Sequence, residues 1–272
     1  MYGLALTGLD LGQELLVPAP DLWPTIAIVV EQGLVEDARE YADEADGTVR
    51  FADAVAHIQR EPAKAVFRFA GEPRVEAVIH PYLSPVAGLL AHWHGREALH
   101  AGGYVHDGGV WGMIADRGGG KSSTLAQLAL EGVPIVADDL LVVDQDAALA
   151  GPRAIDLRAE VSAVLGVGEP LGVLGTRSRW RFRLSPVESA LPLCGWIFLE
   201  WGATFSVEPT SPSERLERLG AQRMIRRRPP DPTSLLRLAS YPGFVIRRPA
   251  SLESLAETAR LLRAPFPVDS NG

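Results

Sequence analysis

Only one cysteine occurs in the 272 residues, and Cys194 alone can form neither an internal disulfide nor a multi-cysteine metal site. A reducing cytoplasm is therefore the expected compartment. Long apolar runs are missing as well. The stretch from Leu15 to Val30 is interrupted by Pro18, Pro20, Asp21 and Pro24, short of the roughly 18 apolar residues that a membrane helix needs. The start carries no basic leader, so neither a signal peptide nor a membrane span is expected. A surplus of positive charge is also lacking: the net charge of −8 argues against the broad positive field that nonspecific nucleic-acid binding requires. Repeats and low-complexity tracts are absent.

What remains is an ordinary globular composition, 47% hydrophobic and 22% charged, able to bury a sizeable core in one large domain or a small one plus a medium one. The first third has a mixed pattern. Short β-prone runs lie at Thr25 to Val30, Thr48 to Phe51, Ala65 to Phe69 and Glu76 to Ile79, and Asp53 to Arg60 reads as a short helix. Val86, Leu89, Leu90 and Trp93 recur at helical spacing, with Pro85 suited to a first turn. Further on, Ala98 to His106 and Val110 to Ile114 read as two strands joined by an Asp-Gly-Gly turn at 107–109. Ser122 to Leu130 reads as a helix ended by Glu131-Gly132, and β-prone residues then surround Asp138-Asp139.

The most informative segment is Ala115-Asp116-Arg117-Gly118-Gly119-Gly120-Lys121-Ser122, between an apolar strand and a helix. Glycines let the backbone curl and aim N–H groups at phosphate oxygens, and the following helix adds its positive N-terminus. Arg117, Gly118, Gly119, Gly120, Lys121, Ser122 and Ser123 are thus the candidate nucleotide-binding residues. Lys121 would reach the β/γ-phosphates and the Ser122 hydroxyl would bind magnesium. The pattern G-x-x-x-x-G-K-[ST] is broken only at its first position, where Ala115 stands for glycine. Downstream, an apolar strand ending in Asp138 and Asp139 would bring carboxylates to the magnesium-bound phosphate. One can hold the metal, for which Asp138 is the candidate, and the other can accept a proton from an attacking hydroxyl. Adjacent strand residues face opposite sides, so the two share a site only if the strand has ended.

Leu99-His100, Gly118-Gly119-Gly120-Lys121-Ser122, Glu131-Gly132 and Val136-Ala137-Asp138-Asp139 stand in an order and register that resembles the bacterial HPr kinase/phosphorylases and their related serine kinases. The resemblance covers about 45 residues of core. It implies an α/β fold with a PEP carboxykinase-like P-loop core, a mixed β-sheet flanked by helices, over 96–272, and a smaller N-terminal α+β region over 1–95. It further implies that Lys121 binds phosphate, Ser122 binds magnesium, Asp139 accepts the proton and His100 lines the reaction centre. The family's Leu-Glu-Ile-Arg-Gly segment is missing, with Glu160 as the nearest substitute for its metal-binding glutamate. Kinase activity without the reverse phosphorylase reaction is therefore expected. The N-terminal third does not match the regulatory domain of the classical enzymes, so HPr need not be the acceptor.

Arg179, Arg181 and Arg183 alternate with Trp180 and Phe182, which puts three guanidinium groups on one strand face. Arg181 is the candidate for offsetting charge on the transferred phosphoryl group; a solvated edge strand would show the same pattern. Arg153 and Arg158, close after the Asp pair, could also reach phosphates. Arg223, Arg226, Arg227 and Arg228 precede three prolines and could dock an acidic partner or form a solvated cluster. Among the histidines, His92 and His94 cannot share a helix face, His57 and His80 have no evident partner, and only His100 is singled out by its place ahead of the loop.

The sequence thus points to a cytoplasmic kinase using ATP and Mg to phosphorylate a serine of a peptide or protein, with no nucleic acid and no membrane as partner. A homo-oligomer is left open. Related kinases that tailor small ribosomal peptides such as lasso-peptide precursors suggest one subclass. A small-molecule hydroxyl kinase and a non-catalytic nucleotide-gated module are the alternatives.

Overall fold

The computed structural model describes residues 1–9, 12–35, 40–225 and 232–266. Its first sheet is built from β1 (Ala5–Thr7), β2 (Thr25–Gln32), β3 (Tyr41–Ala42), β4 (Asp46–Arg50), β5 (Ala54–Gln59) and β6 (Lys64–Phe69), in the order β1-β2-β6-β5-β4-β3. The first two pairings, β1 with β2 and β2 with β6, are parallel and the remainder antiparallel. Residues Asp53 to Arg60, expected as a helix, instead supply β5. Six residues are too few to fix a period, and the strand is paired on both sides, by β4 and β6.

A helical turn α1 (Val75–Ala77) and an irregular turn at Val78–Tyr82 lead into α2 (Leu83–Trp93). The β-prone Val78 and Ile79 are therefore not in a strand; they are fully buried in the core, and packing overrides their local preference. The path breaks at His80, whose φ of −155° and ψ of 124° are extended, as steric conflict with the following Pro81 dictates.

The second sheet begins with β7 (Glu97–Leu99), β8 (Gly102–His106) and β9 (Gly109–Ala115). The single strand expected from Ala98 to His106 is interrupted at His100, whose N–H donates to Gln222 O at 2.7 Å. Next come α3 (Lys121–Leu130), β10 (Ile135–Ala137), β11 (Leu141–Asp144) and β12 (Ala147–Leu149). A separate three-stranded sheet, β13 (Ala154–Leu157), β14 (Glu169–Leu174) and β15 (Arg177–Arg183), is ordered β13-β15-β14 and carries α4 (Ala159–Leu165). The chain then returns to the second sheet through β16 (Ala190–Trp201), β17 (Ser206–Pro209) and, after α5 (Pro212–Ala221) and α6 (Pro232–Ser240), β18 (Gly243–Arg248), before α7 (Ser254–Leu262).

Strands β9, β16 and β18 are mutually parallel and buried on both faces, which explains their continuous apolar runs. Alternation assigns Val110, Ile114, Trp196, Phe198 and Val245 to one apolar cluster, shared with α2 and the first sheet. Trp111, Met113, Ile197, Leu199, Phe244 and Ile246 belong to the other, where α3 and α7 pack. The chain is thus an α/β fold of mixed sheets flanked by helices. The first apolar cluster runs without interruption from Met1 to Val245. Backbone bonds from Tyr2 N–H to Ala150 O (2.7 Å) and from Arg153 N–H to Leu15 O (2.8 Å) also join the N-terminal region to the rest.

Candidate functional site

The three parallel strands end at Ala115, Trp201 and Arg248, and a cleft of about 720 Å³ opens beyond those carboxyl ends, where ligands of open α/β sheets bind. The glycine loop forms its floor. Gly120 has a φ of 81°, and a Cβ there would meet the Arg248 guanidinium at 2.1 Å. At Gly119 a Cβ would lie 2.9 Å from both the Ala115 methyl and Asp116 O. Ala115 itself is an ordinary strand residue, 3% exposed, which is why alanine serves where the pattern has glycine. One detail differs from the expected cradle. Gly119 N–H is taken within the loop, donating to Asp116 O at 2.7 Å. The first helical bond of α3 is Thr124 N–H to Gly120 O, 2.9 Å, so the amides of Lys121, Ser122 and Ser123 precede the helical ladder, the arrangement by which a helix N-terminus can take an anion.

Lys121 is 7% exposed. Among the described residues its Nζ has no hydrogen-bond partner, and it lies 3.6 Å from Asp138 Oδ1. Ser122 Oγ donates to the same oxygen at 3.0 Å. A buried ammonium beside one carboxylate, with all three donors unspent, is an unusual arrangement because buried polar groups are ordinarily bonded; it suits an anion with several oxygens.

Strand β10 ends at Ala137, and Asp139 adopts the left-handed region at φ 69°, where a non-glycine residue is uncommon. The alternation that would have turned the two carboxylates apart is thereby lifted, and both line the cleft. Asp139 Oδ1 is 3.8 Å from His100 Nε2. Burial pushes the Asp139 carboxyl up, but the neighbouring His100, the Lys121 charge and the adjacent His80 together outweigh it and hold the group below the usual carboxylate range. Among the described residues no group of three or more His, Cys, Asp or Glu forms a metal cage. Ser122 with Asp138 still fits magnesium, which commonly takes one or two protein ligands and completes its shell with water and phosphate oxygens.

Arg181 is a correction. It lies outside the cleft lining and is 3% exposed. Its Nε and Nη2 clamp Asp156 at 2.9 and 3.1 Å, Nη2 also donates to His80 O (2.7 Å), and Nη1 donates to Glu76 O (3.1 Å). With four of its five N–H donors committed it holds β13 to the turn that carries His80, away from the cleft lining. Arg153 is likewise structural, donating to Ile135 O at 2.5 Å and to Ser185 O at 2.8 Å. The arginines that do line the cleft are Arg117, Arg158, Arg177, Arg179 and Arg248. Glu160 lines it too, at the start of α4. Of the later basic run, Arg223 pairs with buried Glu97 at 2.7 Å, whereas Arg226, Arg227 and Arg228 lie outside the described residues.

Two contributors went unread in the sequence. His80 is 1% exposed and lines the cleft, and its Nδ1 has no hydrogen-bond partner among the described residues; the His-Pro dipeptide is its only signal in the sequence. Arg248 is 1% exposed and braces the loop from below. Its Nη2 reaches Gly119 O (3.2 Å) and Thr124 Oγ1 (3.3 Å), its Nη1 reaches Ser254 Oγ (3.2 Å), and burial pushes its pKa down to about 10. An apolar strand ending in Arg247-Arg248-Pro249 was the available clue.

No family model matches the chain, and no curated protein does. Among solved structures, the HPr(Ser) kinase/phosphatase from Coxiella burnetii aligns with 61% of this chain and 97% of its own at 15% identity, with a TM-score of 0.27. A superposition that loose carries no argument about the site. No described helix is long and apolar enough to cross a membrane.

Proposed function

We propose that the protein is a kinase that transfers the γ-phosphate of ATP to a serine hydroxyl of a peptide or protein. The observation that carries this reading is the buried Lys121 ammonium at the floor of a glycine loop, which makes no hydrogen bond among the described residues and faces, at 3.6 Å, a carboxylate that also accepts from Ser122. Lys121 and the first amides of α3 would hold the β- and γ-phosphates. A magnesium ion held by Ser122 and Asp138 would offset charge on those oxygens.

The acceptor hydroxyl would enter on the side of Asp139 and His100. As its oxygen bonds to the γ-phosphorus, the bond to the β–γ bridging oxygen breaks, ADP leaves, and the hydroxyl proton passes to Asp139. A carboxylate held below its usual range is a weak base. The loose transition state asks little of it, so orienting the hydroxyl is the larger share of its work. His100 and His80 would keep that carboxylate ionised and aimed. The wall formed by Arg117, Arg158, Arg177 and Arg179 supports an acceptor with acidic character, a match that would speed encounter and fix register. Peptide tailoring is one setting for such chemistry.

Incubation of the protein with ATP, magnesium and an array of serine peptides, read by mass spectrometry, tests the proposal. Phosphorylated peptide from wild type, and none from Lys121→Ala, supports it; nucleotide binding without turnover on any peptide or small hydroxyl compound contradicts it.

A further inference from the structure

Trp201 is the last residue of β16 and stands directly opposite Arg248 of β18 in the parallel register. The Arg248 guanidinium lies over its ring, 4.3 Å from the centroid. Despite that partner, 44% of Trp201 is exposed, and the indole lines the cleft. It lies at the loop's edge, since a Cβ on Gly120 would be 3.2 Å from Trp201 Cη2. Among the described residues no other Phe, Tyr or Trp lines the cleft; Ala250, Leu252 and Leu255, which follow Arg248 closely in the chain, are among its apolar lining. Asp138, Asp139, His100, Arg117, Arg158, Arg177 and Arg179 supply its charged lining.

A nucleotide is divided in the same way. Its phosphates need the glycine loop, while its base, tethered to them only by the ribose and α-phosphate, needs a flat apolar surface at the loop's edge. An aromatic ring provides one for any base, because stacking uses the π-face. We infer that Trp201 is the platform on which the nucleobase of the bound nucleotide stacks, with Ala250, Leu252 and Leu255 enclosing it. Arg248 then has two tasks: it supports the loop carbonyl from below and fixes the plane of the indole. The donor is by this argument a nucleoside triphosphate and not pyrophosphate. The inference rests on the kinase reading only in placing phosphates in the loop.

Calorimetric titration of Mg-ADP and, separately, of magnesium pyrophosphate into wild type, Trp201→Ala and Trp201→Phe separates the two halves of the ligand. The expected result is an ADP affinity about tenfold lower or worse in Trp201→Ala, largely kept in Trp201→Phe, with pyrophosphate affinity the same in all three. Equal losses for ADP and pyrophosphate would mean that the indole merely props the loop, and an unchanged ADP affinity would mean that the base lies elsewhere; either overturns the inference. Wild type binding pyrophosphate but not ADP also overturns it while leaving the loop's role standing. Binding of neither removes the kinase reading and this inference with it.

Discussion

Ser122 Oγ donates to Asp138 Oδ1 across the cleft floor at 3.0 Å. The two residues come from different elements, the first turn of α3 and the residue after β10, so their contact is made by the fold and not by chain proximity. The same carboxylate oxygen faces Lys121.

That pairing makes magnesium dependence the first expectation. Ser122→Ala removes one ligand and leaves the loop and Lys121 in place. Mg-ADP binding should weaken about tenfold, while ADP binding in EDTA stays within twofold of wild type (order-of-magnitude figures, one such ligand being worth roughly 1–2 kcal/mol). Equal weakening with and without the metal would show that Ser122 contacts phosphate or only packs.

Arg181 should matter for stability and not for nucleotide binding. Asp156 has no exposed side-chain surface, and truncating Arg181 would leave that buried charge only the more distant Arg179, 3.9 Å away, where breaking a buried pair costs about 3–5 kcal/mol. For a chain of this size, thermal unfolding of Arg181→Ala should drop on the order of 10 °C. Near-wild-type unfolding together with lost pyrophosphate binding would restore Arg181 to the phosphate site.

The depressed Asp139 carboxyl gives a pH signature. A group titrating lower in the folded chain than unfolded contributes stability that is fully present above its unfolded value of about 3.9 and is lost as pH falls through the folded value. The difference in urea-unfolding stability between wild type and Asp139→Asn should therefore shift in favour of the asparagine variant as pH falls below about 4. No such shift on acidification would mean that Asp139 is not held below the usual carboxylate range.

Four arginines crowd one another at the cleft mouth: the charges of Arg117 and Arg158, and less so of Arg179, press the exposed Arg177 guanidinium below its ordinary pKa. Arg177→Glu relieves that crowding and removes an attraction for anions. Its unfolding temperature without ligand should equal or slightly exceed that of wild type, and the rise on adding pyrophosphate should be smaller, since ligand stabilisation follows affinity. An identical rise in both proteins would detach Arg177 from anion binding.

The loop, the helix after it and the acidic pair could be read in the sequence because each is local. Glycines and Lys-Ser fix the turn, and β9 and α3 fall where the apolar run and the helix-formers place them. His100 and Asp139 were named from register, yet what joins them, the left-handed backbone at 139 and the break between β7 and β8, depends on tertiary pairing with Gln222. Alternation correctly put Arg179, Arg181 and Arg183 on one face of β15. It could not show that Asp156 would bind Arg181 closely and Arg179 at longer range, because that partner sits on β13, 25 residues from Arg181. Arg248 and Trp201 meet the loop only through the parallel pairing of β16 and β18, a contact with no local signature. Residues 53–60 were misread because a six-residue strand paired on both sides has no clean period.

The central claim is that the Asp139 side of the cleft performs phosphoryl transfer on a nucleotide held by the Lys121 side. Measuring Mg-ADP affinity and serine-peptide phosphorylation in parallel on Asp139→Asn tests it most directly. The account predicts affinity within about threefold of wild type and a transfer rate lower by about 10²–10⁴-fold. A variant that still transfers phosphate at the wild-type rate, or that loses nucleotide binding in step with activity, would contradict it.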